Sequence, residues 1–305
     1  MKSIEFVIIT YNRPEDTLEL LQNIVQLDAA DELLKSVILV NNASTEDYSS
    51  VQKFVNETTV VKFQYIDSAK NLGVTGGRNL ALQYASADLL IFLDDDCILQ
   101  NKDALVQLLR SFDEPGFGNR ETAIVSFKVL YYSNLQMQIN GLPHKKINEY
   151  KDKEKFFTYY FAGGAHAIQR KVLLETGNLP EEFFYGMEEY DLSYRIIDKG
   201  YCIKYDSNIV MLHKESPLGR KTKEEKLRMM WVNKAKVAWR YLPKFDYYST
   251  ALMWSLQYLK EAGFNIGGYC RGWKDVLDIP KNEKRNPVSQ SSLDYLQAVE
   301  ARLWY

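Results

Sequence analysis

Cysteine is scarce in this chain. Its 305 residues hold only Cys97, Cys202 and Cys270. An odd number of cysteines set far apart excludes a disulfide framework and a zinc ribbon, and it suits a reducing cytosol. Long apolar runs are missing too. No stretch approaches the roughly 20 uncharged apolar residues of a membrane-spanning helix. The opening "MKSIEFVIITYN" has too short an apolar run for a signal peptide before it meets a turn. The chain is therefore expected to be cytoplasmic and soluble, or at most attached to the inner face of a membrane. Charge of one sign is also lacking: 38 Lys and Arg against 40 Asp and Glu leave a net charge of −2. Nothing in that balance points to nucleic acid. Repeats and low-complexity tracts are absent. What is present is a 46% hydrophobic fraction, enough for a real core. The length fits one large α/β domain, or one domain with an appendage.

The first hundred residues alternate between two periods. "IEFVIIT" (Ile4–Thr10), "SVILVNN" (Ser36–Asn42), "VVKFQYI" (Val60–Ile66) and "DLLIFLD" (Asp88–Asp94) read as strands. "EDTLELLQNIVQL", with Pro14 ahead of it, carries Leu18, Leu21, Ile24, Val25 and Leu27 on one helical face. "ASTEDYSSVQKFV" offers Ser44 or Thr45 as an N-cap for a second helix, and "GGRNLALQYA" reads as a third. Strands apolar on both faces and separated by helices predict a parallel sheet covered on both sides. Ligands of such sheets bind beyond the carboxyl ends of the strands. Tyr11–Arg13, Asn41–Ser44, Lys70–Arg78 and Asp94–Asp96 all fall there. Further on, a helix is expected over Lys102–Phe112 and a strand over "TAIVSFKVLYY". A short strand, a glycine pair and a helix closed by Gly177 follow, then a helix stopped by Gly200. "IKYDSNIVMLHK" reads as two short strands.

"FLDDDCIL" runs from an apolar strand straight into Asp94, Asp95 and Asp96. Adjacent like charges repel or raise one another's pKa, so the triplet is costly without a cation. Carboxylates are hard ligands suited to Mg²⁺ or Mn²⁺, which usually coordinates substrate phosphates as well. Two aspartates one residue apart can divide the work between a ribose and a metal. The plain alternative is a solvated acidic turn. An Asp-x-Asp phosphatase would want a hydroxyl residue next, where Cys97 and Ile98 stand, and an EF-hand loop needs alternating ligands and a glycine. "KNLGVTGGRNLAL" places Asn71, Gly73, Gly76, Gly77 and Arg78 at a helix start, where backbone and phosphate can approach closely. It is neither a Walker A loop nor G-x-G-x-x-G.

Taken in order, "VIITYNRPEDTLELL", "ILVNNAST", "NLGVTGGRNLAL", "FLDDDCIL", "FAGGAHAIQRKVLLETG", "FFYGMEEYDLSYRIIDKGY" and "IVMLH" resemble family 2 glycosyltransferases of the GT-A fold, a mixed, mainly parallel Rossmann-like sheet between helices. Rhamnosyl- and galactofuranosyltransferase-like members are the most similar, and the resemblance spans about residues 1–215. It implies an inverting enzyme that uses a nucleoside-diphosphate sugar and a divalent metal. Thr10, Tyr11, Asn12 and Arg13 would hold the nucleobase and ribose. The aspartate that the family usually offers the base is replaced by Asn41, whose carbonyl still accepts from a pyrimidine N3–H, so a UDP- or dTDP-sugar is expected. Arg78 would approach the diphosphate, Asp94 or Asp95 the ribose, and Asp96 the metal, with His213 as a second ligand. The family's general base falls on Glu189, with Asp191 as the alternative. The plain reading of this acidic segment is a helix start that complements its dipole, with Asp191 and Arg195 as an i,i+4 pair. His166 would touch the acceptor or simply pack.

Residues 222–305 are expected to form a helical region appended to a catalytic domain of residues 1–221. In "KAKVAWRYLPKFDYY", Lys234, Lys236, Arg240 and Lys244 interleave with Trp239 and Tyr241, just beyond Trp231. That pattern suits either an anionic membrane surface or ordinary packing with a solvated basic face. The acceptor is expected to be a saccharide or lipid-linked glycan of a bacterial surface polysaccharide. Two other classes remain open: a nucleotidyltransferase, although "YNRPEDTLELL" lacks the glycine-rich loop such an enzyme wants after its first strand, and a non-catalytic nucleotide-sugar-binding protein.

Overall fold

The computed structural model describes residues 2–183, 186–215 and 222–303. Phe184 and Tyr185 of the "FFYG" motif, and the expected domain boundary at residue 221, lie outside them. The first half alternates as read: β1 (Ile4–Thr10), α1 (Pro14–Val25), the single turn α2 (Ala30–Leu33), β2 (Leu34–Asn41), α3 (Ser49–Glu57), β3 (Phe63–Asp67), α4 (Gly73–Leu82) and β4 (Leu89–Asp94). Next come β5 (Cys97–Leu99), α5 (Ala104–Asp113), β6 (Thr122–Tyr131), the single turn α6 (Ile147–Tyr150), β7 (Lys155–Thr158), β8 (Ala165–Gln169), α7 (Arg170–Thr176), α8 (Glu188–Asp198) and β9 (Cys202–His213). Four helices complete the chain: α9 (Lys223–Tyr241), α10 (Lys244–Glu261), α11 (Ile266–Asn282) and α12 (Gln290–Ala298).

One sheet orders these strands β3-β2-β1-β4-β8-β6-β9-β5, with β7 beside β9. β1 to β4 are parallel to one another, as expected. The sheet as a whole is mixed, because β8 runs antiparallel to both β4 and β6. The two short strands expected after residue 202 are one strand. β9 pairs β7 with its first half and β5 with its second, and its register against β6 shifts between Phe127 and Lys128. That switch carries His213 to the edge where β5 leaves the aspartate triplet. The expected N-cap of α3 also moves. Ser44 and Thr45 bond the Asn12 backbone and side chain instead, so α3 starts at Ser49 without a side-chain cap.

Alternation along β1 divides the core. Ile4, Phe6 and Ile8 face Leu20, Leu21, Ile24, Val51, Leu105 and Leu108 of α1, α3 and α5. Val7 faces the other way, toward the side packed by α4, α7, α8 and the C-terminal helices. Each such aliphatic side chain contributes about 1.5–3 kcal/mol on burial. The C-terminal helices share that second core. Trp231 of α9 is fully buried, donates Nε1–H to the Ala251 carbonyl at 3.0 Å, and stacks on Tyr269. Tyr295 of α12 donates its hydroxyl to the Thr158 carbonyl at 2.7 Å. The basic residues of α9 are engaged as well: Arg240 pairs with Glu182, Asp191 and Glu283, and Lys236 with Glu283. This helix packs as an interior element. The exposed apolar row lies on α10, at Phe245, Tyr248, Leu252 and Leu256. Among the described residues, no helix is long and apolar enough to cross a membrane.

Candidate active site

Parallel pairing sets the carboxyl ends of four strands side by side. Thr10 lies opposite Asn41, Asn41 opposite Asp67, and Ile9 opposite Asp94. At this edge the candidate donor residues divide by what they bond. Thr10 is buried and its hydroxyl bonds those of Thr17 and Tyr48, so it supports the strand end from inside. Asn12, at φ 56°, accepts from the Thr45 N–H at 2.8 Å. Asn71 accepts from the Gly73 N–H and the Asn42 amide, which shapes the turn into α4. A Cβ on Gly77 would press on the Ile9 side chain at 3.0 Å, so this glycine lets α4 approach β1. Gly76 does the same against Leu72 of its own turn, at 2.9 Å. Asn41 donates to Asp67 Oδ1 at 3.0 Å and to the Tyr65 hydroxyl. An exposed carboxylate from β3 therefore stands beside Asn41, where the family pattern has its own aspartate. Sequence reading passed over Asp67 because "YIDSAK" has no motif around it.

The aspartate triplet separates into different roles. Asp94 is 43% exposed and accepts from Arg78 at 3.1 Å. Asp95 is buried, accepts from the Tyr11 N–H at 3.2 Å and pairs with Arg13 at 2.7 Å. Burial raises the Asp95 pKa, Arg13 pulls it back and Asp96 raises it again, leaving it at about 6. Asp96 lies 3.2 Å from Arg13 and 3.3 Å from His213 Nε2. The β5–β9 ladder makes that contact, since Cys97 pairs His213. Burial works against a charge on His213, but Asp96 outweighs it, so the imidazole pKa is raised. His213 Nδ1 sits 2.9 Å from Gln138 Oε1. A proton held there leaves Nε2 for Asp96 or a cation, the usual way an outer partner orients a ligating histidine. Gln138, another residue not found from sequence, in turn donates to Glu215. One ligand atom from each of Asp94, Asp96 and His213 falls within 4.8 Å of the others. Two carboxylates and an imidazole are a donor set that fits Mn²⁺, and Mg²⁺ if water replaces part of it.

A second acidic group faces the first across Gly163 and Gly164. A Cβ on Gly163 would fall 2.1 Å from Glu189 Oε1, and one on Gly164 would fall 2.1 Å from Asp94 Oδ2. Any side chain at either position would collide with a carboxylate, so this loop is the wall both acids rest against. Glu189 is half-buried, and burial raises its pKa. Glu188 is 4% exposed and its Oε2 has no hydrogen-bond partner among the described residues. Burial and the neighbouring Glu189 push the Glu188 pKa up, and burial raises that of Glu189 as well, so the two acids resist carrying two charges together. Asp191 is elsewhere. It is 2% exposed and bonds Arg195, Arg240 and the Tyr241 hydroxyl, fastening α8 to α9. His166 stacks on Phe92 at 4.9 Å, and burial pushes its pKa down to about 3, so it packs as a neutral ring beneath the di-glycine loop.

Solved structures similar to this one include glycosyltransferases. A mannosyltransferase from Pyrobaculum calidifontis, in complex with GDP-Man and Mn²⁺, aligns with a TM-score of 0.58 and 16% identity over 97% of this chain and 79% of its own. GalNAc-T7 with UDP, GalNAc and Mn²⁺ aligns with a TM-score of 0.64 and 16% identity, over 95% of this chain and 59% of its own. TarS 1-349 from S. aureus, bound to UDP-GlcNAc, gives 0.63 and 13% identity over 91% and 81%. The molecule thus has the GT-A fold. The model of glycosyl transferase family 2 matches residues 5–177, and the chain belongs to that family. Among characterised relatives, the GalNAc(5)-diNAcBac-PP-undecaprenol beta-1,3-glucosyltransferase of Campylobacter jejuni is 27% identical over 184 residues, 60% of this chain and 57% of the relative. An uncharacterised Haemophilus influenzae protein is 28% identical over 58% of this chain and 92% of its own length.

Proposed function

We propose that this glycosyltransferase moves a sugar from a UDP- or dTDP-sugar to a hydroxyl of a saccharide or lipid-linked glycan, with inversion at the anomeric carbon. The observation that carries the reading is the di-glycine wall, where the lack of a side chain at Gly163 leaves room for Glu189 and the lack of one at Gly164 leaves room for Asp94. Asp67 and the Asn41 carbonyl would read the pyrimidine, and Arg78 the diphosphate. Asp96 and His213, with Asp94, would hold a divalent cation, which when bound supplies positive charge to the departing diphosphate. Glu189 would take the proton of the acceptor hydroxyl as that oxygen bonds the anomeric carbon and the bond to the diphosphate oxygen breaks. A proton held between Glu188 and Glu189 would leave the pair one negative charge for that task. Asp191 holds the helix that carries them. A lipid-linked acceptor would bring the enzyme to the cytoplasmic face of a membrane, and the exposed row of α10 is the surface we place against it.

The test is a panel of nucleotide sugars scored for thermal stabilisation and for slow donor hydrolysis, with Mn²⁺, Mg²⁺ or EDTA. A UDP- or dTDP-sugar that stabilises and is hydrolysed only with metal is expected. Stabilisation by every nucleotide equally, or hydrolysis undiminished in EDTA, would count against the reading. Tight metal-dependent binding without hydrolysis would favour a non-catalytic nucleotide-sugar-binding protein instead.

A further inference from the structure

The turn that presents Glu188 and Glu189 does not support itself. Gly186 and Met187 precede the two acids with φ of 76° and 77°, two successive residues in the left-handed region. Glycine adopts that conformation freely, but methionine does so only at a cost that its surroundings must offset. Met187 is the N-cap residue of α8, and its thioether provides no oxygen to receive the free N–H groups of the first turn. The first backbone bond of α8 runs from the Asp191 N–H to the Met187 carbonyl at 3.1 Å, which leaves the Gly186 carbonyl outside the helical ladder. Support comes from α9. Asn233 is 6% exposed, and its side-chain amide donates to the Gly186 carbonyl at 3.0 Å.

Other contacts of α9 flank that bond. One turn earlier, the Met230 Cγ lies 3.4 Å from where a Cβ on Gly186 would stand. Two turns later, at a spacing of seven that keeps it on the same helical face, Arg240 pairs with Glu182 and, at 2.8 Å, with Asp191. α9 therefore grips the acid-bearing segment before the turn, at it and after it. The Asn233 bond is made to the backbone of the turn itself, just ahead of the left-handed methionine. The tolerance at Glu189 is small. Its Oε1 lies 2.1 Å from where a Cβ on Gly163 would stand, so it has room only because that residue is glycine. A turn that relaxed toward ordinary dihedrals would swing this carboxylate off the wall, and a misplacement of about 1 Å can cost about 10²-fold in rate.

We infer that Asn233 is a positioning residue: by holding the Gly186 carbonyl it keeps Met187 left-handed and so aims Glu189 at the acceptor hydroxyl. The inference rests on the reading of Glu189 as the base, and its test separates the two. Asn233→Leu removes the amide donor at similar size, and Asn233→Ala carries the same test should leucine not fit. Tyr241→Phe is the control, because it removes a 2.8 Å hydrogen bond between the same two helices without touching Gly186. The full chain is assayed in Mn²⁺ with the sugar donor found by the nucleotide-sugar panel. Each Asn233 variant should lower kcat about tenfold or more while sugar-donor affinity stays within about twofold of wild type. Hydrogen exchange at the first turn of α8 should quicken in the same variants. Tyr241→Phe should keep its kcat at a comparable loss of melting temperature. Wild-type kcat or unchanged exchange in the Asn233 variants, a fall in sugar-donor affinity that matches the fall in kcat, or an equal loss of kcat in Tyr241→Phe would overturn the inference. A slow Glu189→Gln beside full-rate Asn233 variants would leave the base standing and refute the positioning. An active Glu189→Gln would refute the base, while quickened exchange in the Asn233 variants would still show the hold on the turn.

Discussion

Buried acids stand at both ends of the central sheet, and they are treated in opposite ways. At the amino end Glu5 is fully buried in β1, and its carboxylate accepts from the Ser86 and Ala87 N–H groups and from the Ser36 and Ser86 hydroxyls. Every lone pair that burial strips of water is given a donor, which is what an acid with a structural task requires. At the carboxyl end the acids are crowded on one another. Asp95 sits at about 6 despite Arg13, Glu188 Oε2 has no hydrogen-bond partner among the described residues, and Asp96 faces both Arg13 and His213 beside Asp95. Buried acids gathered at one edge, with their charges shifted by one another, are where we place the ligand.

That contrast can be broken by substitution. The largest effect is expected at the carboxyl end: Asp96→Ala should lower donor turnover by about 10³-fold, the scale of removing one group that stabilises developing charge, and weaken UDP binding in Mn²⁺. Kinetics at saturating metal check it, and near wild-type turnover would show the triplet to be a solvated turn. Asp191 tests whether acids of α8 divide in the same way. Asp191→Asn removes the charge that holds Arg195 and Arg240 in a buried network, so it should cost about 3 kcal/mol of stability. Chemical denaturation measures that cost, and the folded fraction should keep its turnover.

A smaller effect sharpens the comparison through pH. The folded His213 pKa is raised, so in metal-free protein its pair with Asp96 adds stability that is fully present below the unfolded histidine's value of about 6.5 and is lost as pH rises through the folded value. Glu188, pushed up to about 8, acts in the same direction, because the folded protein keeps a proton that the unfolded chain gives up near about 4.3. Lys234 and His166, whose pKa values burial lowers, act the other way, so the pair is read as a difference: the destabilisation of EDTA-treated His213→Gln relative to wild type should grow as pH falls through neutrality. Stabilisation by Mn²⁺ should shrink in the same direction, because the ligating imidazole must lose its proton. A destabilisation that does not change with pH would contradict this pairing.

Much of this was legible in the residues. The strands from Ile4 to Asp94 announce themselves by apolar runs between helical periods, and the triplet at the exit of β4 is conspicuous because its cost is local. His213 could be nominated only by resemblance, since its partnership with Asp96 depends on a register shift in β9 that no local pattern encodes. The same holds for Asp67 and Gln138, which enter by pairing with distant strands. The α9 stretch misleads for a related reason. Lys236 and Arg240 look like part of a solvated face until Glu182, Asp191 and Glu283 arrive from other segments to pair with them. Spacing shows which side chains share a face, but what that face meets is a tertiary fact.

The most direct measurement compares Glu189→Gln with wild type for a donor identified by the nucleotide-sugar panel, in Mn²⁺, reading both donor affinity and the rate of sugar transfer or hydrolysis. Glutamine is nearly isosteric and fits the same di-glycine wall, so donor affinity should be unchanged while the rate falls about 10²-fold or more, the share expected of a general base. A Glu189→Gln protein that turns over like wild type, alongside a well-folded Asp191→Asn that does not, would show that the working carboxylate of α8 is the one buried among arginines.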